Sequence, residues 1–220
     1  MPKYIHAFHL AFGCVLDVWL ASQALAAKDL SQCHSWKEEL AAQYEHIKRL
    51  PDAEFAKHTG LTRLDYTAML GTPQQLIEGL KATPPQAQAR VKQTLLVTSA
   101  WYGRLDNVTY LVSQGADVNY TQGTMSPPLA VAAQCGGPAV VRFLIANHAN
   151  VYSRLPNAAD AMRAALASND TETVDVLLES GYDPCLAFDQ PGKPSTAEVA
   201  SRLGHPELVS RLTCTKQTPG

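Results

Sequence analysis

At 220 residues, with 46% apolar and 17% charged residues, the chain has the makeup of one or two folded domains and not of a disordered tract. Its formal net charge of −2 and its lack of Lys/Arg runs offer no basic surface to a nucleic-acid backbone or an anionic membrane. Met1 to Ala26 is a separate object. Lys3 precedes a mostly apolar run from Tyr4 to Leu25, which ends in the small-x-small pattern Ala24-Leu25-Ala26 ahead of Ala27-Lys28. This is the layout of a secretory signal peptide cleaved near Ala26. Asp17 interrupts the apolar run before it reaches the ~18 residues a membrane span needs, so no membrane insertion is expected after cleavage.

Residues 27–60 read as a helical cap. Ser35-Trp36-Lys37-Glu38 has the form of a capping box. Trp36, Leu40, Tyr44 and Ile47 stand at helical spacing, predicting a helix over 35–49 that ends at Arg49-Leu50-Pro51. A short second helix is expected from Asp52 to His58, closed by Gly60. The cap is expected to pack on the open N-terminal end of the segment that begins at Leu61.

From Leu61 to Cys214 one pattern recurs. In its best copy, Thr94 to Asn119, Gly103 is followed by Val108, Leu111, Val112 and Gly115-Ala116-Asp117. Thirty-three residues later stand Gly136, Val141, Leu144, Ile145 and His148-Ala149-Asn150, and a further 33 give Asn169, Val174, Leu177, Leu178 and Gly181-Tyr182-Asp183. A step of 35 then gives Gly204, Val209 and Leu212. Leu64, Ala68, Gly71, Leu76 and Leu80 form an earlier, degenerate copy, closed by Thr83-Pro84-Pro85. First helices are predicted to open near Thr94, Pro127-Pro128, Asp160 and Ser195-Thr196, and to end in left-handed residues at Gly103, Gly136, Asn169 and Gly204. Such a period means a stack of two-helix units, each unable to bury its own face alone. Residues 215–220 are expected to be a disordered tail.

With Cys14 lost to the signal peptide, Cys33, Cys135, Cys185 and Cys214 remain. An even number in an exported chain points to two disulfides, the other reading being buried small apolar residues. Cys185 comes just after the third full unit and Cys214 just after the last helix, which favours Cys185–Cys214 and leaves Cys33–Cys135.

The pattern resembles the ankyrin repeat family over Leu61 to Cys214. The motif Thr-Pro-Leu-His-x-Ala-Ala-x-x-Gly is similar to Thr94-Leu95-Leu96-Val97-Thr98-Ser99-Ala100-Trp101-Tyr102-Gly103 and to Pro127-Pro128-Leu129-Ala130-Val131-Ala132-Ala133-Gln134-Cys135-Gly136. The motif's histidine is replaced by Val97, Ala130, Arg163 and Glu198. The resemblance implies an all-α solenoid of about five units that binds another protein through a concave face. First-helix positions on that face would be Thr98, Trp101, Tyr102, Val131, Gln134, Ala164, Ala167, Ser168 and Arg202. Finger-loop positions would be Tyr120, Gln122, Met125, Arg154, Leu155, Phe188, Asp189 and Lys193. Trp101 and Tyr102 have a second reading, packed under the N-terminal cap.

Catalytic motifs are missing: the sequence holds no GxSxG, HExxH, phosphate-binding Gly-rich loop or CxxC. Cys33-His34 has no second His/Cys pair at zinc spacing. No enzyme activity, cofactor or metal is expected. An exported chain of this kind resembles periplasmic bacterial immunity proteins that sterically block toxic effector enzymes such as lipases. It also resembles periplasmic accessory scaffolds of oxidative-stress defence, with a secreted effector as a third alternative. The free protein is expected to be a monomer.

Overall fold

The computed structural model describes residues 33–121, 127–153, 160–186 and 194–214. The expected signal peptide, the expected tail 215–220, and the centres of three expected finger loops (122–126, 154–159 and 187–193) lie outside the described residues. So does the two-residue insertion expected near Asp189-Gln190-Pro191-Gly192.

Among the described residues the chain is all helical. Two helices, α1 (Cys33–Ile47) and α2 (Asp52–Thr59), precede five two-helix units. The units are α3 (Arg63–Leu70) with α4 (Pro73–Ala82), α5 (Pro85–Trp101) with α6 (Leu105–Ser113), α7 (Pro128–Val131) with α8 (Pro138–Ala146), α9 (Ala161–Ala167) with α10 (Thr171–Glu179), and α11 (Thr196–Arg202) with α12 (Pro206–Leu212). A π-helical turn, Ala132–Gly136, continues α7. Inner helices (α3, α5, α7, α9, α11) pack on inner helices and outer helices α4, α6, α8 and α10 on outer ones, while the last outer helix, α12, packs on α11. One continuous core of Leu, Val and Ala side chains therefore runs the length of the stack.

The sequence places several helix starts through their caps. Thr62 with Asp65, Thr72 with Gln75 and Ser195 with Glu198 form reciprocal capping boxes, and Asp160 accepts from the Arg163 N–H. Serine hydrogen bonds hold the Glu198 carboxyl below its usual range. Gly60 closes α2 in the left-handed region.

Three expectations are corrected. The first helix already runs at Cys33, so Ser35 lies inside it and is not its cap. The inner helix of the second unit begins at Pro85, not Thr94. Only Thr83 and Pro84 separate α4 from α5, leaving no room for a finger loop, and residues 85–93 become helix instead. This extension braces the far end of its own unit: Lys92 donates to the Gln114 carbonyl at 2.6 Å, and Gln93 accepts from the Asp117 N–H at 3.2 Å.

The third correction concerns Gly136. The left-handed residue of that unit is Gly137 (φ 86°), because the π turn absorbs one extra residue before the helix ends. Gly136 is required for another reason: a Cβ there would stand 2.0 Å from the Ala100 carbonyl oxygen of the preceding inner helix. Gly103, Asn169 and Gly204 do take positive φ, and so does His148, which fills a glycine slot at the end of α8.

Where the motif's histidine is absent, other side chains tie unit to unit. The Ser99 hydroxyl donates to the Ala68 carbonyl at 3.2 Å, Arg104 to Gly71 at 2.8 Å and Ser168 to Ala133 at 3.3 Å. His205 is buried with Nε2 3.1 Å from the Leu166 carbonyl; the carbonyl can only accept, so Nε2 carries the proton. A second ladder runs along one equivalent position, residues 119, 152 and 185. Asn119 donates to the His148 carbonyl at 3.0 Å and accepts from the Asn150 N–H. Tyr152 accepts from the Asp183 N–H at 2.7 Å and stacks on Tyr182. At the third step Cys185 is covalently bound to Cys214, with Cα atoms 5.1 Å apart.

These contacts predict different costs for two glycine substitutions. Gly115 has φ 80° and open space around its Cβ direction, so Gly115→Ala should cost about 1–2 kcal/mol of backbone strain. Gly136→Ala forces a helix backbone aside and should cost at least about 3 kcal/mol. Urea denaturation of the mature protein measures both, and equal costs would contradict the close approach at Ala100.

Candidate protein-binding face

The face turned away from the outer helices is built by equivalent positions of the inner helices, where Trp101, Tyr102, Gln134, Cys135, Ala167, Ser168, Arg202 and Leu203 fall. The structure divides this face into two parts.

The N-terminal part is covered by α1. Cys33 is disulfide-bonded to Cys135 in the third unit, with Cα atoms 5.7 Å apart. One turn on, Lys37 donates to the Cys135 carbonyl and holds its ammonium 6.0 Å from the centre of the Trp101 ring in the second unit. Near the helix's other end Tyr44 stacks on Tyr66 of the first unit, centroids 5.2 Å apart, with Phe55 of α2 edge-on to both rings. Fifteen residues of helix at 1.5 Å rise reach about 22 Å, enough to pass from the first unit to the third. The cap therefore does more than close the open end of the stack: α1 runs lengthwise over the inner helices of three units.

The local chemistry explains this course. The C-terminal carbonyls of an inner helix lack helical partners, and a lysine there satisfies one while complementing the helix dipole. The aromatic ring beneath it attracts the same cation. At the far end Arg63 stacks its guanidinium 4.6 Å from the Phe55 ring, pairs with Asp52, and donates to the Lys48 and Leu50 carbonyls, which pins the turn between α1 and α2.

Of the sequence-derived contact residues, Trp101 (3% exposed) and Tyr102 (8%) are buried against one another, edge to face at 4.6 Å. The reading of this pair as exposed is corrected in favour of packing beneath the cap. Thr98, Val131 and Ala164 are also buried, because that position of the inner helix looks into the junction between units. Gln134, Ser168 and Tyr120 are half-buried, and Ala167 and Arg202 are exposed. Gln122, Met125, Arg154, Leu155, Phe188, Asp189 and Lys193 lie outside the described residues.

Two residues escaped the sequence reading. Leu203 (46% exposed) and Leu186 (70%) are large exposed apolar side chains, Leu203 beside Arg202 on α11 and Leu186 at the edge of the last expected finger loop. Leu203 occupies the equivalent position to Tyr102, so the repeat register alone was enough to find it. Among the described residues the exposed part of the face is thus its C-terminal part, where Ala167 of α9, Arg202 of the adjacent α11 and the following Leu203 lie.

Residues 99–188 match the family model for ankyrin repeats (3 copies). The stack is an ankyrin-repeat solenoid. Over 127 residues, 57% of the chain, it is 32% identical to the Ankyrin repeat and KH domain-containing protein mask-1 of Caenorhabditis elegans. The matched region spans 5% of that relative's length. Ankyrin repeats are typical of non-enzymatic protein-interaction scaffolds and suggest a protein-binding module. Among the described residues no three His, Cys, Asp or Glu side chains gather in a metal-binding group. No helix among them is long and apolar enough to cross a membrane.

Burial beneath α1 pushes the Lys37 ammonium from its ordinary 10.5 down to about 8. A lysine in the unfolded chain keeps its proton to the higher value, so folding releases a proton between these two pH values, and the Lys37 contribution to stability improves as pH rises through that window. Lys37→Met, which keeps the stem and removes the charge, should abolish this dependence. Urea midpoints measured for both proteins from neutral pH to about 10 should converge or cross in favour of the lysine; a constant difference would contradict the docked position.

Proposed function

We propose that the protein is an exported binding module that holds a folded client protein against its finger loops and the uncovered C-terminal part of its inner-helix face. The observation that carries this reading is the exposed Arg202–Leu203 pair on a rigid repeat array, at the motif position that elsewhere in the chain holds Trp101-Tyr102. Arginine and large apolar side chains supply a disproportionate share of interface energy when a partner buries them. Arg154 and Phe188, placed in finger loops by the repeat register, would extend the same surface.

Export is supported by the signal-like N-terminus and by two disulfides, Cys33–Cys135 and Cys185–Cys214, since such bonds persist in oxidising compartments. Within this class we propose an inhibitor of the immunity type, acting in a bacterial periplasm on a toxic effector enzyme such as a lipase. A preorganised surface that blocks an active-site entrance needs no chemistry of its own and loses little entropy on binding. The client's substrate is then excluded sterically.

Co-expression in the periplasm of the mature protein with an exported hydrolase encoded beside it should restore growth and yield a co-purifying complex. Loss of growth with no complex, for every such hydrolase, would sink the inhibitor reading. For the surface, combined replacement of Arg154, Phe188, Arg202 and Leu203 by alanine should weaken binding at least ~100-fold with helical circular dichroism unchanged. Undiminished affinity would move the client to the outer helices.

A further inference from the structure

The two disulfides sit in unlike surroundings. Cys33 is buried and Cys135 half-buried. Cys185 and Cys214 are both exposed, so a thiolate can approach that bond from solvent. The residue after Cys185, Leu186, is the most exposed large apolar side chain among the described residues, at 70%. Its turn is held by Asp183, whose carboxylate accepts from the Cys185 N–H at 2.8 Å and whose carbonyl accepts from the Leu186 N–H at 3.2 Å. Neither half-cystine depends on the bond for its place. Three residues before Cys185, Tyr182 is buried and stacked on Tyr152. Two residues before Cys214, Leu212 is buried; α12 packs on α11, and Arg211 pairs with Asp175 at 2.7 Å. The Thr213 hydroxyl donates to the Val209 carbonyl at 2.6 Å. Two separately anchored backbones therefore bring the Cα atoms of residues 185 and 214 to 5.1 Å, a separation at which a broken bond can re-form.

We propose that Cys185–Cys214 is a reversible thiol-exchange site, with Leu186 as the apolar foothold for a dithiol oxidoreductase that reacts there. The thiolate of the oxidoreductase bonds to the Cys185 sulfur, beside Leu186, and expels the Cys214 thiolate. Its second thiol, as the thiolate, then attacks its own sulfur in the mixed disulfide and expels the Cys185 thiolate. Two electrons pass to this chain, and two protons given up by the dithiol complete the Cys185 and Cys214 thiols by way of solvent. The oxidoreductase leaves as its own disulfide. A protein dithiol gains from burying Leu186 in a way that a small thiol cannot. Cys33–Cys135, less exposed, is the structural counterpart that exchange leaves intact. Exchange needs no client, so it is independent of the binding reading of Arg202 and Leu203.

Thioredoxin with its resolving cysteine replaced by serine traps the mixed disulfide. Mixed with the mature, oxidised protein, it should form an adduct that peptide mapping assigns to Cys185. Limited dithiothreitol followed by alkylation should label Cys185 and Cys214 at least ~10-fold faster than Cys33 and Cys135. Helical circular dichroism should be unchanged at that stage, and reoxidation should restore the Cys185–Cys214 bond. Leu186→Ser should slow adduct formation with thioredoxin at least ~5-fold while the dithiothreitol rate stays the same. No adduct, an adduct at another cysteine, equal labelling of the two pairs, or loss of helix on reduction of Cys185–Cys214 would overturn the exchange site. A Leu186→Ser protein that reacts with thioredoxin as fast as its parent, or is slowed equally toward both reagents, would overturn the foothold. Each of these failures leaves the client-binding reading of Arg202 and Leu203 standing, since no client takes part.

Discussion

The fold depends on how closely one inner helix can approach the next. A two-helix unit presents apolar surface on both sides and buries it only against neighbouring units. The approach is tightest where Gly136 meets the Ala100 carbonyl, at a distance that leaves no space for a Cβ. The reciprocal contact at Gly103 is set by the Gly136 carbonyl, 2.6 Å from where a Cβ would stand. Small residues at Ser99-Ala100 and Ala132-Ala133 continue this seam. Backbone-to-backbone contact of this kind locks the register of the units, because a shift by one residue would drive a side chain into a carbonyl.

Close approach also decides how the polar groups of the stack are satisfied. The inner-helix carbonyls face the next unit across a narrow gap, within reach of short side chains. Ser99, Ser168 and His205 each cross that gap to a backbone oxygen. These bonds stand where the motif's histidine network is lacking. Along the turn edge, the same equivalent position uses an amide in Asn119, a phenol in Tyr152 and a disulfide in Cys185. Three chemistries at one site of the repeat imply that the geometry of the site, the nearness of the next unit's outer-helix end, is the constant.

The inner-helix face is covered by the chain's own first helix at one end and exposes side chains at the other. In the first three units α1 fills it, so the aromatic residues that look most suited to an interface are part of the protein's own packing. In the last two units, among the described residues, the face carries exposed Ala167, Arg202 and Leu203. The π turn at Ala132–Gly136 marks the boundary: it carries the cysteine that anchors α1, and its last carbonyls are available to Lys37.

Periodicity made the repeat array legible in the sequence. The Val and Leu triplets, the left-handed Gly103, Asn169 and Gly204, and the caps at Asp160 and Ser195 are local requirements of helices and turns, which each segment carries by itself. The Cys185–Cys214 pair came from repeat position, since residues at the ends of adjacent units are neighbours, and Cys33–Cys135 was the pair that remained. Other features depended on contacts between distant segments. Gly136 looks like a helix terminator until the Ala100 carbonyl is seen beside it, and α5 extends to Pro85 because no finger loop intervenes there. Trp101 reads as a surface residue in its own segment and is buried because a helix more than fifty residues earlier lies across it. Sequence alone determined the units and their order, because secondary structure and capping are short-range. Tertiary structure alone decided which part of the face is free, because that depends on where a helix outside the repeat pattern comes to rest.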